Sequence, residues 1–189
     1  GASTNSAANL VLDGGTLQYA NTITANTDRL FSVGTAGGTI SVPLAGILNL
    51  TNTGNIGFNG QTGARTLTFA FSDNPSNNGQ IVMASGISDN GGATSLVKAN
   101  SFGLLRLTSN NNNYTGTTTI NGGSVSIGVV GGSTGSIGSG DIIVKAGGTL
   151  VASRSGSVNL AQTISGAGGV TLNGNTALTL SGTNTYTGA

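Results

Sequence analysis

Ile142-Ile143-Val144-Lys145-Ala146-Gly147-Gly148-Thr149-Leu150-Val151 decides the fold. Two short apolar bursts flank a glycine pair, and the second burst opens with a hydroxyl residue followed by an aliphatic one. The same order returns as Gly14-Gly15-Thr16-Leu17, Gly37-Gly38-Thr39-Ile40 and Gly122-Gly123-Ser124-Val125, with a degenerate copy at Gly168-Gly169-Val170. Copies lie 23, 25 and 21 positions apart, counted from Gly15 to Gly38, Gly123 to Gly148 and Gly148 to Gly169. A repeat of that length is the mark of a solenoid, because one unit cannot bury its own apolar residues and must stack on its neighbours.

Outward from this stretch, apolar residues keep a period of two. Examples are Thr66-Leu67-Thr68-Phe69, Leu105-Arg106-Leu107, Val125-Ser126-Ile127 and Leu178-Thr179-Leu180. That is the strand period, and no segment holds a helical one for three turns without meeting Gly or Asn. The expected fold is all-β, a right-handed parallel β-helix whose rungs each hold about three short strands. At about 23 residues per rung the chain makes roughly 8 rungs. Alternation predicts that Leu12, Leu17, Ile40, Leu107, Ile127, Val144, Leu150, Leu172 and Leu180 share one interior. The glycine pairs are expected at corresponding corners of successive rungs, with a positive φ in each pair. A β-sandwich is the competing fold; the recurring turn and the scarcity of aromatics favour the solenoid.

The 189 residues include 34 Gly, and with Thr, Asn and Ser these small residues exceed half the chain. Charged residues are 6%, the net charge is +1, and His, Cys and Trp are absent. Without His or Cys, the usual metal-binding imidazoles and thiolates and the Ser-His-Asp and Cys-His catalytic sets are missing. Six Lys plus Arg leave no basic footprint for nucleic acid. No apolar run is long enough for a membrane span in this segment. Disorder is disfavoured, since 36% of residues are hydrophobic and net charge is near zero.

A longer repeat overlies the rungs. Leu105-Arg106-Leu107-Thr108-Ser109 and Asn112-Asn113-Tyr114-Thr115-Gly116 return as Leu178-Thr179-Leu180-Ser181-Gly182 and Asn184-Thr185-Tyr186-Thr187-Gly188. The copies cover residues 87–128 and 164–189, and their tyrosines, Tyr114 and Tyr186, stand 72 positions apart, near three rungs. The second copy stops at Ala189 in mid-motif. Residues 1–189 are therefore expected to be a single β-solenoid segment of a longer repetitive chain.

The run Leu96-Val97-Lys98, Leu104-Leu105-Arg106-Leu107 and Asn112-Asn113-Tyr114-Thr115-Gly116-Thr117-Thr118-Thr119-Ile120 resembles the autotransporter-associated β-strand repeat, also called the passenger-associated transport repeat. Asp28-Arg29-Leu30-Phe31-Ser32-Val33 and Gly63-Ala64-Arg65-Thr66-Leu67-Thr68 resemble spacer segments of large bacterial surface proteins carrying that repeat. The resemblance implies an extracellular, cell-surface β-helix. The family's passengers include adhesins, enzymes and stalks.

Enzymatic β-helices acting on sugars need clustered carboxylates. The five Asp residues, Asp13, Asp28, Asp73, Asp89 and Asp141, are scattered singly and read best as turn residues bonding their own backbone. The oxygen-rich loops 73–79 and 89–92 and the segment Gly138-Ser139-Gly140-Asp141 do not follow known calcium-loop spacings. Asn110, Asn111, Asn112 and Asn113 suggest stacked amide ladders rather than a binding site. Tyr114 and Tyr186 are expected to lay their rings over a neighbouring turn with wet hydroxyls, sugar-stacking being the alternative.

The expectation is a structural, non-enzymatic stalk, adhesive scaffold or fibre building block, with no catalytic, cofactor-binding or metal residue and no cofactor. Its partners would be adjoining repeats or end-to-end copies, and a host surface or glycan. The alternatives are a carbohydrate-active β-helix enzyme and a calcium-dependent glycan-binding module.

Overall fold

The computed structural model describes residues 4–188, so the end of the second repeat copy at Ala189 lies outside the described residues. The chain winds as a parallel β-solenoid of about seven coils, one fewer than the roughly eight expected. The reason is coil length: Ile40 stands opposite Phe69 and Leu67 opposite Leu96, each 29 positions on, whereas Leu17 to Ile40 takes only 23.

Each coil visits three faces. The first sheet stacks Thr16–Gln18, Gly38–Ser41, Arg65–Ala70, Thr94–Lys98, Thr118–Ile120, Ile142–Val144 and Ile164–Ser165. The second stacks Thr24–Thr27, Ile47–Leu50, Gln80–Met83, Leu104–Leu107, Gly123–Ile127, Gly148–Ala152 and Gly169–Leu172. The third face is less regular, with Val11–Leu12 on Ser32–Val33, Gly156–Leu160 on Thr176–Leu180, and bridges from Ser32 to Gly57 and Asn55 to Gly86 between them. Every strand pair is parallel and in register. The only helix among the described residues is one 3₁₀ turn, and no helix is long and apolar enough to cross a membrane.

Register turns alternation into columns. Leu48, Ile81, Leu105, Val125 and Leu150 form one inward column of the second sheet, and Leu50, Met83, Leu107, Ile127 and Ala152 another, all buried. At about 25 cal/mol per Å² of apolar surface, stacking such columns is the main driving force for winding. Leu12, Ile40, Leu107, Ile127, Val144 and Leu150 are buried as expected, and Leu17 and Leu180 pack partly buried against the core. Leu172 departs from the expectation at 48% exposed. It continues the Ile127 and Ala152 column, but its strand is the last of its sheet among the described residues, so one side of the leucine has no neighbour above it.

The glycine pairs occupy two kinds of corner rather than one. Gly14 (φ 82°) and Gly37 (φ 79°) lead into the first sheet, while Gly123 (φ 61°) and Gly147 (φ 79°) lead into the second. In the degenerate pair neither Gly168 nor Gly169 has a positive φ. The pair therefore encodes a tight bend between two faces without specifying which two. Gly148 is small for another reason: a Cβ there would lie 2.9 Å from the Ile120 carbonyl oxygen, so crowding excludes a side chain.

The longer repeat is likewise offset. Leu104–Leu107 belongs to the second sheet, but the matching Leu178 and Leu180 lie on the third face. The 72-residue spacing thus equals three coils and one further face, and the tyrosine motif turns around the rod.

Candidate functional surface

Four of the five Asp side chains tie neighbouring coils. Asp13 accepts hydrogen bonds from the Ala36 amide at 2.9 Å and from Gln61 Nε2 at 2.7 Å, and Gln61 Oε1 in turn accepts from the Thr35 amide and hydroxyl, which links three coils. Asp73 accepts from the Ser101 amide at 2.7 Å and Asn100 Nδ2 at 2.9 Å. Asp89 accepts from the Thr94 amide at 2.7 Å and, in the next coil, from the Thr115 amide at 3.0 Å and hydroxyl at 2.6 Å. Asp141 accepts from the Thr163 amide at 3.3 Å. Asp28 contributes its backbone carbonyl to Asn52 Nδ2 at 2.8 Å. The expected bonding of an Asp to its own turn holds at Asp89 through Thr94, whereas the partners of Asp13, Asp73 and Asp141, and Thr115 for Asp89, belong to later coils, because the in-register stack brings their donors within reach. Among the described residues no three His, Cys, Asp or Glu gather at one point.

The bond from Gln61, then that from Ala36, holds the Asp13 carboxyl below its ordinary pKa, and bonds from Asn100 and Ser101 do the same for Asp73. At Asp89 burial opposes ionisation, yet the Thr115 and Thr94 donors prevail and the pKa is lowered. A lowered carboxyl contributes stability above its ordinary range that is lost as pH falls through the folded value. Asp89→Asn replaces one acceptor with an NH₂ facing amide or hydroxyl donors. We expect it to cost about 1–2 kcal/mol near neutral pH and to flatten the acid limb of the melting curve below about pH 4, both readable from thermal melts across the acid range. Unchanged melts would show that the Asp89 bonds contribute nothing.

Two cations lie inside the rod. Lys98 continues the inward column between Phe69 and Ile120 and is fully buried. Its Nζ donates to the carbonyls of Ala99 (3.0 Å), Asn100 (3.1 Å) and Phe102, and lies 4.6 Å from the centre of the Phe71 ring. Burial pushes its pKa down to about 8, partly opposed by the charge of Asp73. Arg65 is 3% exposed, donates to the carbonyls of Val33, Gln61 and Gly63, and stacks 4.6 Å over Phe58. Both fasten backbone carbonyls at corners. Their inward direction was available in the sequence, since strict alternation in Arg65-Thr66-Leu67-Thr68-Phe69 and Thr94-Ser95-Leu96-Val97-Lys98 puts them on the leucine side.

The asparagine run does not form amide ladders. Asn112 is buried; its Oδ1 accepts from the Ile87 amide of the previous coil and its Nδ2 donates to the Ser136 carbonyl of the next. Asn184 repeats the first of these bonds with the Ile164 amide, one face further round. A ladder pair does occur elsewhere, Asn49 Nδ2 to Asn26 Oδ1 at 2.6 Å. Tyr114 also corrects the expectation. It is fully buried with its hydroxyl on Thr118 Oγ1 at 2.8 Å, and burial raises its pKa to about 12, so the ring cannot stack on a sugar. Thr118 supplies the partner because it follows four positions later on the inward side of the first sheet. Tyr186 is partly buried against the core.

The outer face of the first sheet is uncharged and hydroxyl-rich. On the first sheet Thr16, Thr39, Thr68, Val97, Thr119 and Ile143 form one straight outward column. On other faces two open hollows of about 410 and 400 Å³ are both lined in part by residues of the run 110–113.

No family model matches the chain, and no solved structure matches it. It is 40% identical over 170 residues, 89% of its length, to the adhesin BmaC autotransporter of Brucella suis biovar 1 (strain 1330). The chain spans 5% of that protein's length. Sequence kinship and fold agree: the chain is a parallel β-solenoid homologous to a segment of an autotransporter adhesin, with the architecture of an autotransporter passenger repeat protein.

Proposed function

We propose that the chain is a non-enzymatic rod segment of an extracellular, surface-displayed adhesin, serving as stalk and scaffold for the groups it carries. The observation behind this reading is how its polar side chains are used. Asp13, Asp73, Asp89, Asp141, Asn112 and Asn184 bind the backbone of adjacent coils, and Lys98 and Arg65 fasten corners from within. Such side chains stiffen a rod rather than activate a substrate. Seven coils at the strand spacing extend about 34 Å along the axis. Further coils of the same polypeptide, or a second copy, would continue the columns at either end.

The test is made on the full-length parent protein. An epitope inserted after Val130, which is 58% exposed in an outer turn, should be reached by antibody on intact cells. The rod itself should resist proteinase K there. An epitope detected only after lysis would overturn the assignment.

A further inference from the structure

Asn110, Asn111, Asn112 and Asn113 divide into two anchors and two free amides. Asn112 is bonded to the coils on both sides, and Asn110 Oδ1 accepts from the Gly135 amide at 2.9 Å and meets Arg154 Nη1 at 3.5 Å. Asn111 and Asn113 are exposed, and their side chains make no hydrogen bond among the described residues. Each free amide opens on its own hollow. Asn111 lines the one bounded by Thr53, Thr108 and Thr134, and Asn113 the one bounded by Ser139, Asn159 and Gln162 with Ile137 and Ala161. Both volumes fall within the range of about 300–1,000 Å³ usual for small-ligand sites.

We propose that these hollows bind an uncharged oligosaccharide, a deepening of the adhesin reading on which it rests. No charged side chain lines the second hollow, so an anionic sugar would leave its charge unpaired there; the one cation near the first, Arg154, stands behind Asn110 and donates to the Gly135 carbonyl. Side-chain amides offer donors and acceptors together, which suits vicinal hydroxyls that do both. Gln162, in the wall of the second hollow, commits its Nε2 to the Gly138 carbonyl, which fixes the orientation of the amide. The anchored neighbours hold the free amides in place before binding, so little order has to be gained on contact.

The probe is a printed panel of neutral, sialylated and sulfated oligosaccharides, followed by calorimetry with the best binder. The expected result is a neutral binder whose affinity falls at least about tenfold in the Asn111→Ala/Asn113→Ala double variant, the scale set by losing one or more hydrogen bonds. Thr119→Val, on the first sheet, should leave it unchanged. These substitutions remove exposed or half-buried groups, and an unchanged melting temperature confirms the fold. No neutral binder, an anionic binder only, or binding that survives the double variant would each overturn the proposal. If binding fails while the Val130 epitope is reached on intact cells, the site is refuted and the surface rod stands.

Discussion

Excision of residues 142–163 is expected to yield a folded rod one coil shorter. Ile142 and Ile164 are register partners, as are Ile143 and Ser165, so the cut removes one whole period of 22 residues. The new junction joins Asp141 to Ile164 and reproduces the Asp-Ile peptide it replaces. Gly169–Leu172 then descends onto Gly123–Ile127, placing Val170 over Val125 and Leu172 over Ile127 in the columns that Leu150 and Ala152 held. In a solenoid stability is close to a sum of unit and nearest-neighbour contributions, so the loss is that of one coil, about 1–3 kcal/mol. A cut of half that length behaves differently. Removing residues 142–152 deletes the strands of both main sheets in that coil and places Ser153 where the first sheet should begin. Every later strand moves by two faces, which turns Leu160, Leu178 and Leu180 away from their neighbours. We expect loss of structure beyond Asp141 and aggregation through the exposed strand edges. Thermal circular dichroism and size exclusion of the two deletions distinguish the outcomes; equal damage from both would mean that the coils are not interchangeable units.

The period of two and the recurrent glycine pair were enough to read the class of fold, because both report local demands: which side of a strand faces inward, and where the chain must bend. They do not report which face a bend connects. A three-sided coil has three similar corners, and the chemistry of a tight bend is the same at each. Gly37-Gly38 and Gly147-Gly148 serve equally well before different sheets, and the spacing between them carries no mark of the change. The same ambiguity hid the one-face offset between Leu105 and Leu178. The roles of polar side chains were less legible. Asp89 and Asn112 bond residues 24 to 26 positions away, reached only once coils stack, so their local sequence suggested turns and ladders instead. Alternation turned Lys98 inward, but its residue type argued the other way: a lysine is almost never buried without partners, and its partners are carbonyls, which no sequence pattern displays. The free amides of Asn111 and Asn113 emerge only by subtraction, after the bonds of Asn110 and Asn112 are known.

Lys98→Met is expected to be the most damaging single substitution. Methionine keeps much of the apolar stem between Phe69 and Ile120, so packing changes little, but the carbonyls of Ala99, Asn100 and Phe102 lose their shared donor. Those carbonyls hold the corner between the first and second sheets, where Asn100 already adopts a positive φ of 68° and its Oδ1 accepts from the Phe71 amide. Removing one side of a buried polar cluster strands the other, which outweighs the relief of no longer burying a charge. A loss of about 3 kcal/mol follows, and for a chain of this size a fall in melting temperature of roughly 6–12 °C. The pH dependence supplies a second readout. With the folded pKa at about 8 and an unfolded value near about 10.4, the unfolded chain binds more protons between those limits, so the Lys98 contribution to stability rises as pH climbs from about 8 to about 10. The difference in melting temperature between the wild-type protein and Lys98→Met should therefore widen across that interval. A variant that melts with the wild type at neutral pH would mean that water already serves those carbonyls, and a constant difference across the alkaline interval would mean that the ammonium titrates as it does in the unfolded chain.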